Sequence, residues 1–231
     1  MIHHPDETLI LKFSRAEILS PLASMLSAHI EECNECKKKY QEHLNQAFLM
    51  PDNVKSVLDL NNDEISSALH LVMNKIEQQK NESIIQEKEA KKVADLFIEV
   101  SGERIQLPRS MKFLKDQPIP WKEFGKKNAI APVVTTKEGT FYLIYIGPGE
   151  TVPHHGHTEI EYSYVAAGAY EDGLSSYETG DFSFTNKSHY HTPKAVSDDG
   201  CLVISWVEGR LNFFTGFLKP LNNLLLSLIH I

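Results

Sequence analysis

The chain has 231 residues, enough for one large or two small domains with cores of their own. Its 31 acidic side chains outnumber its 23 basic ones, for a formal charge of −8. That balance argues against a nucleic-acid-binding surface, which needs a basic footprint to meet the phosphate backbone, and it leaves basic partners open. No apolar run approaches the length of a membrane span, and Met1-Ile2-His3-His4-Pro5 lacks the apolar region of a signal peptide. The expectation is a cytoplasmic protein with no membrane segment and no direct contact to nucleic acid.

Taken in order, Asp6 to Ser14 carries Leu9, Ile10 and Phe13 at helical spacing, with acidic residues in the first turn where the helix dipole favours them. Ser20-Pro21 reads as an N-cap followed by proline at the first helical position, and Leu22, Met25 and Leu26 continue an apolar face up to His29. A third helix is expected from Cys33 to Met50, with Tyr40, Leu44, Ala47 and Phe48 on one face and Pro51 closing it. A fourth begins near Asn62, with Ile65, Leu69, Val72 and Ile76 in helical register.

At the joint of the second and third helices stands His29-x3-Cys33-x2-Cys36, holding two of the three cysteines. Residues three and four apart share a helix face, so the three ligands converge if one helix ends and the next begins between them. Cys-x2-Cys at a helix start also places thiolates in the positive end of the dipole, and zinc held by two thiolates and two imidazoles is nearly charge-balanced. A closed structural site needs a fourth ligand. A redox Cys-x2-Cys would follow a βαβ pattern, whereas the flanks here read as helix throughout.

From Gln78 to Lys92 the chain is dominated by Gln, Glu and Lys with few apolar anchors, the texture of a solvated helix or a linker. Afterwards come short runs rich in Val, Ile, Phe, Tyr and Thr between turn residues: Val133 to Thr136, Thr140 to Ile146, Glu161 to Ala166, Phe182 to Thr185 and Leu202 to Val207. Close-set strands of this kind imply a β-sandwich or barrel. Cys201, just before the last of them, reads as a strand core residue. The apolar stretch Leu221 to Ile231 is too short to span a bilayer and is expected to pack on the barrel or a partner. The expected fold is thus α+β and multidomain: a zinc-binding helical bundle over residues 1–85, a linker over 86–104 and an all-β domain over 105–231.

Inside the β region the order is Gly149, five residues, His155, Gly156, His157, three residues, Glu161, six residues, Gly168. Residues two apart on a strand point the same way, so His155, His157 and Glu161 share a parity and His154 does not. Downstream, Gly180-Asp181 turns into a strand ending at His189-Tyr190-His191, which offers a further imidazole from across the barrel, His189 or His191. Three histidines and a carboxylate suit Zn, Fe, Ni, Mn or Cu.

These residues resemble a cupin, whose first motif, G-x5-H-x-H-x3/4-E-x6-G, is matched at every fixed position. The second cupin motif places Gly180 and His191 in register and favours His191 over His189, although Asn186, Ser188 and Ala195 stand where the family has Pro, Gly and Asn. The first half resembles the zinc-binding anti-sigma domain, marked by His-x3-Cys-x2-Cys with an additional upstream histidine. Together, in this order, the halves resemble the ChrR-type anti-sigma factors.

That resemblance implies a fourth zinc ligand just before the first helix, His4 with His3 as the alternative. It implies structural zinc in the helical domain and a second divalent ion, zinc by preference, in the cupin-like domain. The function implied is a cytoplasmic regulator, not an enzyme, that holds an extracytoplasmic-function sigma factor from RNA polymerase and releases it on oxidative stress, singlet oxygen or peroxide. The alternative is a cupin metalloenzyme of the Fe(II) dioxygenase kind with an accessory zinc domain. The zinc helical unit discriminates between them, since dioxygenase chemistry has no use for it.

Overall fold

The computed structural model describes residues 3–48, 96–115, 117–209 and 211–213. The expected helix from Asn62, the charged stretch Gln78 to Lys92, and Leu221 to Ile231 lie outside the described residues.

Three helices open the chain. The first, α1 (Glu7–Ser14), is capped by the Asp6 carboxylate, which accepts from the Leu9 N–H at 2.8 Å, and it buries Leu9 and Ile10. In α2 (Ser20–Glu32) the cap position falls on Leu19 rather than Ser20 and has no side-chain hydrogen bond. Ser20 is already helical: its carbonyl accepts from the Ser24 hydroxyl at 3.1 Å, and Pro21 in the first turn has no N–H that a cap would need to satisfy. α2 buries Leu22, Met25, Leu26, Ala28, His29 and Ile30, and α3 (Asn34–Phe48) follows after a single residue.

The β-rich part begins with a hairpin, β1 (Phe97–Val100) and β2 (Glu103–Gln106), whose tight turn takes positive φ at Ser101 and Gly102. It occupies the end of the stretch expected to be linker, 86–104, because Ile98 and Val100 find a buried surface. A 3-10 helix, Arg109–Leu114, leads into the strands. The larger sheet holds β3 (Lys122–Phe124), β4 (Asn128–Thr135), β5 (Thr140–Ile146), β7 (Glu161–Ala167), β10 (Phe182–Thr185) and β13 (Cys201–Val207), in the order β10-β7-β13-β5-β4-β3. Among the described residues there are also two three-stranded sheets: β11 (Tyr190–His191), β6 (His155–His157) and β14 (Leu211–Phe213), and β12 (Lys194–Ala195), β8 (Ala169–Glu171) and β9 (Ser176–Glu178).

The period of two along the central strands sorts residues between two cores. Phe141, Leu143, Tyr145, Tyr164, Leu202, Ile204 and Trp206 face outward and join Leu9, Ile10, Leu22, Met25 and Leu26 of the helices in one apolar cluster with Met111 and Leu114. Tyr142, Ile146, Val165, Cys201, Val203 and Val207 point the other way, into the barrel with Val152, Tyr170, Tyr177 and Ala195. Every residue of β13 is therefore buried, which explains why it is apolar on both faces apart from Ser205, whose hydroxyl meets that of Ser163 at 2.8 Å: a strand covered on both faces does not alternate. The described residues up to Tyr40 and those from Leu96 on form one compact unit, and the end of α3, from Gln41, belongs to a second. With Met25 and Leu26 fully buried at about 1.5–3 kcal/mol each, the docking of α2 on the sheet is a core, not a surface contact.

Candidate metal centres

His29 lies in the last turn of α2, and Cys33 is the break between helices, extended at φ −93, ψ 107 with its N–H on the His29 carbonyl at 2.8 Å. Its own carbonyl accepts from Lys37 N, so the chain re-enters a helix at once and Cys36 falls in the first turn of α3. The approach to α1 brings His4 alongside. Ligand atoms of His4, His29, Cys33 and Cys36 all lie within 4.8 Å of one another. His29 Nε2 is 3.3 Å from Cys36 Sγ and 3.4 Å from His4 Nδ1, which is itself 3.3 Å from Cys33 Sγ and 3.5 Å from Cys36 Sγ.

The second group forms where the β11-β6-β14 sheet faces the larger sheet. His155 and His157 project from one side of β6, His191 is paired in register with His155 across β11, and Glu161 opens β7. His191 Nε2 stands 3.0 Å from His155 Nε2 and 3.2 Å from His157 Nε2, and Glu161 Oε2 is 3.1 Å from His157 Nε2. All four residues are buried. Glu161 is on a different sheet from the two β6 histidines, so the turn through Thr158, Glu159 and Ile160 makes it converge with them, and shared strand parity does not.

Outer contacts fix which nitrogen three of the imidazoles present. His29 Nδ1–H donates to the Gly180 carbonyl at 2.7 Å, His155 Nδ1–H to the Pro153 carbonyl at 2.9 Å, and His191 Nδ1–H to Asp172 Oδ2 at 3.1 Å. Each leaves Nε2 bare and aimed inward, the arrangement that orients metal-ligating histidines. Converging lone pairs at such distances repel unless a cation lies between them. Bonds of about 2.1 Å give ligand–ligand edges of about 3.0 Å in an octahedron and about 3.4 Å in a tetrahedron, so both groups fit a metal ion.

The electrostatics agree. Burial lowers the pKa of His29 and of His157, and burial with the neighbouring His191 brings His155 down to about 3, so all three are held neutral, the ligating form. Burial pushes Glu161 upward, but the imidazoles of His157, His191 and His155 outweigh it and its pKa is lowered. Burial and the adjacent Cys33 push the Cys36 thiol up to about 12, so a cation is what would make it a thiolate. Burial alone puts Cys201 up at about 12 too, an inert thiol inside the barrel.

A pH dependence follows. Below the ordinary histidine value of 6.5 the unfolded chain takes up protons that buried His29, His155 and His157 refuse, so stability is lost as pH falls from there, down to about 3 for His155. His155 alone withdraws about 1.4 kcal/mol per pH unit over that window. Thermal melts of the metal-free chain should be level between about pH 7 and 8 and fall steadily towards about pH 4, with a second fall above about pH 9 where the unfolded chain ionises the thiols that buried Cys36 and Cys201 keep protonated; a melting temperature indifferent to the range from about pH 7 to 4 would contradict the burial of neutral imidazoles.

The alternative ligands are engaged elsewhere. His154 Nδ1 is 3.1 Å from the Thr192 hydroxyl, and His189 Nδ1 accepts from Asn186 N at 3.1 Å. His3 lies on the barrel: its Nε2 is 3.0 Å from the Ser176 carbonyl and 3.1 Å from Ser175 Oγ, and its ring packs on Tyr177. Asp172, which orients His191, belongs to no ligand motif, and Gly180, the glycine that opens the second cupin motif, orients His29 of the other group. The turn signal Asp172-Gly173 was readable, but not the distant imidazole that the carboxylate meets.

The family described as the ChrR cupin-like domain matches residues 110–208. The anti-sigma-E factor ChrR of Cereibacter sphaeroides is 22% identical over 218 residues, 91% of this chain and 92% of that protein. The crystal structure of Rhodobacter sphaeroides SigE in complex with the anti-sigma ChrR contains a chain similar in fold, with a TM-score of 0.59 at 17% identity, covering 89% of this chain and 98% of that one. A Ralstonia eutropha protein of unknown function with a cupin-like fold is 19% identical at a TM-score of 0.36, covering 38% of this chain and 59% of its own. Helices first and a β-rich part after them, the chain is similar to the anti-sigma factor ChrR along most of its length, and its residues 110–208 match the family of ChrR cupin-like domains.

Proposed function

We propose that this protein is an anti-sigma factor: residues 1–85 bind and inhibit an extracytoplasmic-function sigma factor in the cytoplasm, and the cupin-like domain controls release under singlet oxygen or peroxide stress. His4, His29, Cys33 and Cys36 hold a structural zinc ion, and His155, His157, Glu161 and His191 hold a second divalent ion, zinc by preference. The observation that carries this is the presence of two separate ligand groups in one chain, a cysteine-histidine group at the helices, buried but for half-buried His4, and a buried imidazole-carboxylate group in the barrel. A barrel enzyme needs only the second. The likeness to ChrR over 91% of the chain supports a regulator, and SigE is what ChrR is found with in its crystal structure. Among the described residues no helix is long and apolar enough to cross a membrane.

Bound zinc at the helical site would tie the entry to α1, the end of α2 and the start of α3 into one rigid corner, and the chain's own residues do the rest. α2 stays pressed on the sheet by its apolar face while its opposite side and α3 remain available to a partner. Three imidazoles and a carboxylate also suit Fe(II), which keeps a dioxygenase as the second reading.

The test uses the full chain. Purified protein should repress transcription by its cognate sigma factor in vitro. The His155→Ala with His157→Ala variant should lose the barrel ion, keep its β-type circular dichroism, repress in cells and respond poorly to singlet oxygen or peroxide. If the full chain captured no sigma factor but consumed O₂ with a small organic substrate, the enzyme would replace the regulator.

A further inference from the structure

One segment of the barrel, Asp172 to Asp181, touches both ligand groups. At its start Asp172, buried, accepts from Leu174 N and Ser175 N through Oδ1, at 2.8 and 2.9 Å, while its Oδ2 takes the His191 Nδ1 proton at 3.1 Å. At its end the Gly180 carbonyl takes the His29 Nδ1 proton at 2.7 Å, and the Gly180 N–H is tied to the Val165 carbonyl at 2.9 Å. Between them sits His3, next in the chain to the ligand His4. Its ring meets Ser175 Oγ and the Ser176 carbonyl, its N–H reaches Asp181 Oδ1 at 3.3 Å, and its carbonyl accepts from Phe182 N at 3.1 Å.

We propose that Asp172 and His3 are positioning residues through which the two metal sites are coupled, so that filling one raises the affinity of the other. The inference rests on the ligand sets proposed above. An ion at the barrel site holds His191 with Nδ1–H outward, and that proton fixes Asp172. Asp172 fixes Ser175, and the set loop is what His3 docks against. Docked His3 brings His4 to its place, while the far end of the same segment orients His29. Loss of the barrel ion frees His191 to turn, removes the constraint on Asp172 and loosens the support of two ligands of the other site. Linkage makes the effect reciprocal. Orienting partners of ligating histidines alter metal affinity by about 10–100-fold, which is the leverage each end of the segment has.

Titration with Co²⁺ reads the two sites separately in the full chain, because only the site with cysteines gives a thiolate-to-cobalt charge-transfer band. Asp172→Asn keeps an oxygen for the two loop N–H groups but removes the carboxylate from His191. It touches no ligand of the cysteine site, yet it should weaken the charge-transfer isotherm about tenfold. His3→Ala leaves all eight ligands in place and should weaken cobalt binding at the barrel site by a similar factor, read by the visible bands that remain when the cysteine site is already filled. Ser175→Ala, a single hydroxyl removed from an otherwise intact loop, should shift both isotherms in the same direction. If Asp172→Asn altered only the barrel isotherm and His3→Ala only the cysteine one, the coupling would be overturned while repression of the sigma factor, measured in parallel, could stand. Repression lost with the cross-effects intact would remove the anti-sigma reading and leave the coupling.

Discussion

Replacing Cys33 and Cys36 together by serine is expected to unfold the helical cap of the barrel. Metal-binding free energy at a structural site formed only on folding is folding free energy, of order 10 kcal/mol or more, as large as the whole stability of a typical domain. Without the proposed ion only the backbone hydrogen bonds on either side of Cys33 tie the end of α2 to the start of α3, and α1 (Glu7–Ser14) is too short to persist alone. The damage would not stop at the helices, because Leu22, Met25 and Leu26 cover Phe141, Tyr164, Leu202 and Trp206 in a single apolar cluster. The variant should lose zinc, lose helical circular dichroism signal and bind an apolar dye. Unchanged helicity and melting would show that zinc does not hold this corner.

Gly168→Ala should be the most costly of small substitutions in the barrel. Gly168, the last glycine of the first cupin motif, has φ +79, and a Cβ there would stand 2.1 Å from the Gly200 carbonyl oxygen and 3.0 Å from Cys201 Cα. Backbone, not a flexible side chain, is in the way. Relief requires moving the start of β13, a strand buried on both faces. Strain at positive φ plus overpacking comes to about 2–4 kcal/mol, a fall in melting temperature of roughly 10 °C for a chain of this size. Gly173→Ala is the comparison, since Gly173 has φ +86 but open space where its Cβ would go. It should suffer the backbone strain alone, and equal melting of the two variants would mean that close approach has no part in the choice of glycine at 168.

Both ligand groups could be assembled because three residues of each are close in sequence and of telling chemical type, and the resemblance supplied His4 and favoured His191, which stand farther off. His29, Cys33 and Cys36 needed only a helix break, and the break falls at Cys33. His155 and His157 needed only one extended segment, and β6 is that segment, though at three residues it is too short to announce itself by periodicity. The long strands were legible from apolar content, and β5 (Thr140–Ile146) and β10 (Phe182–Thr185) fall where expected. What stayed hidden depended on contacts across the chain. The apolar content of β13 on both faces reveals a buried strand but not that helices from the other end of the chain are what cover it. His3 was legible only as a substitute ligand, since nothing local says that its ring will meet Ser175, 172 residues away. Asp172 is the same case, a turn residue whose second oxygen has a long-range task.

The seam between α2 and the sheet has a property that its apolar area conceals. Tyr164 and Trp206 are fully buried there, and among the described residues the Tyr164 hydroxyl and the Trp206 indole N–H have no hydrogen-bond partner. A buried donor left unmet costs about 1–3 kcal/mol, and water would satisfy both the moment the surfaces part. Hydration of these two groups would favour the opened form and make the junction easier to peel than an all-hydrocarbon contact of equal size. The joint is in effect a hook-and-loop closure: broad enough to hold the helices in register, and primed for solvent to help undo it.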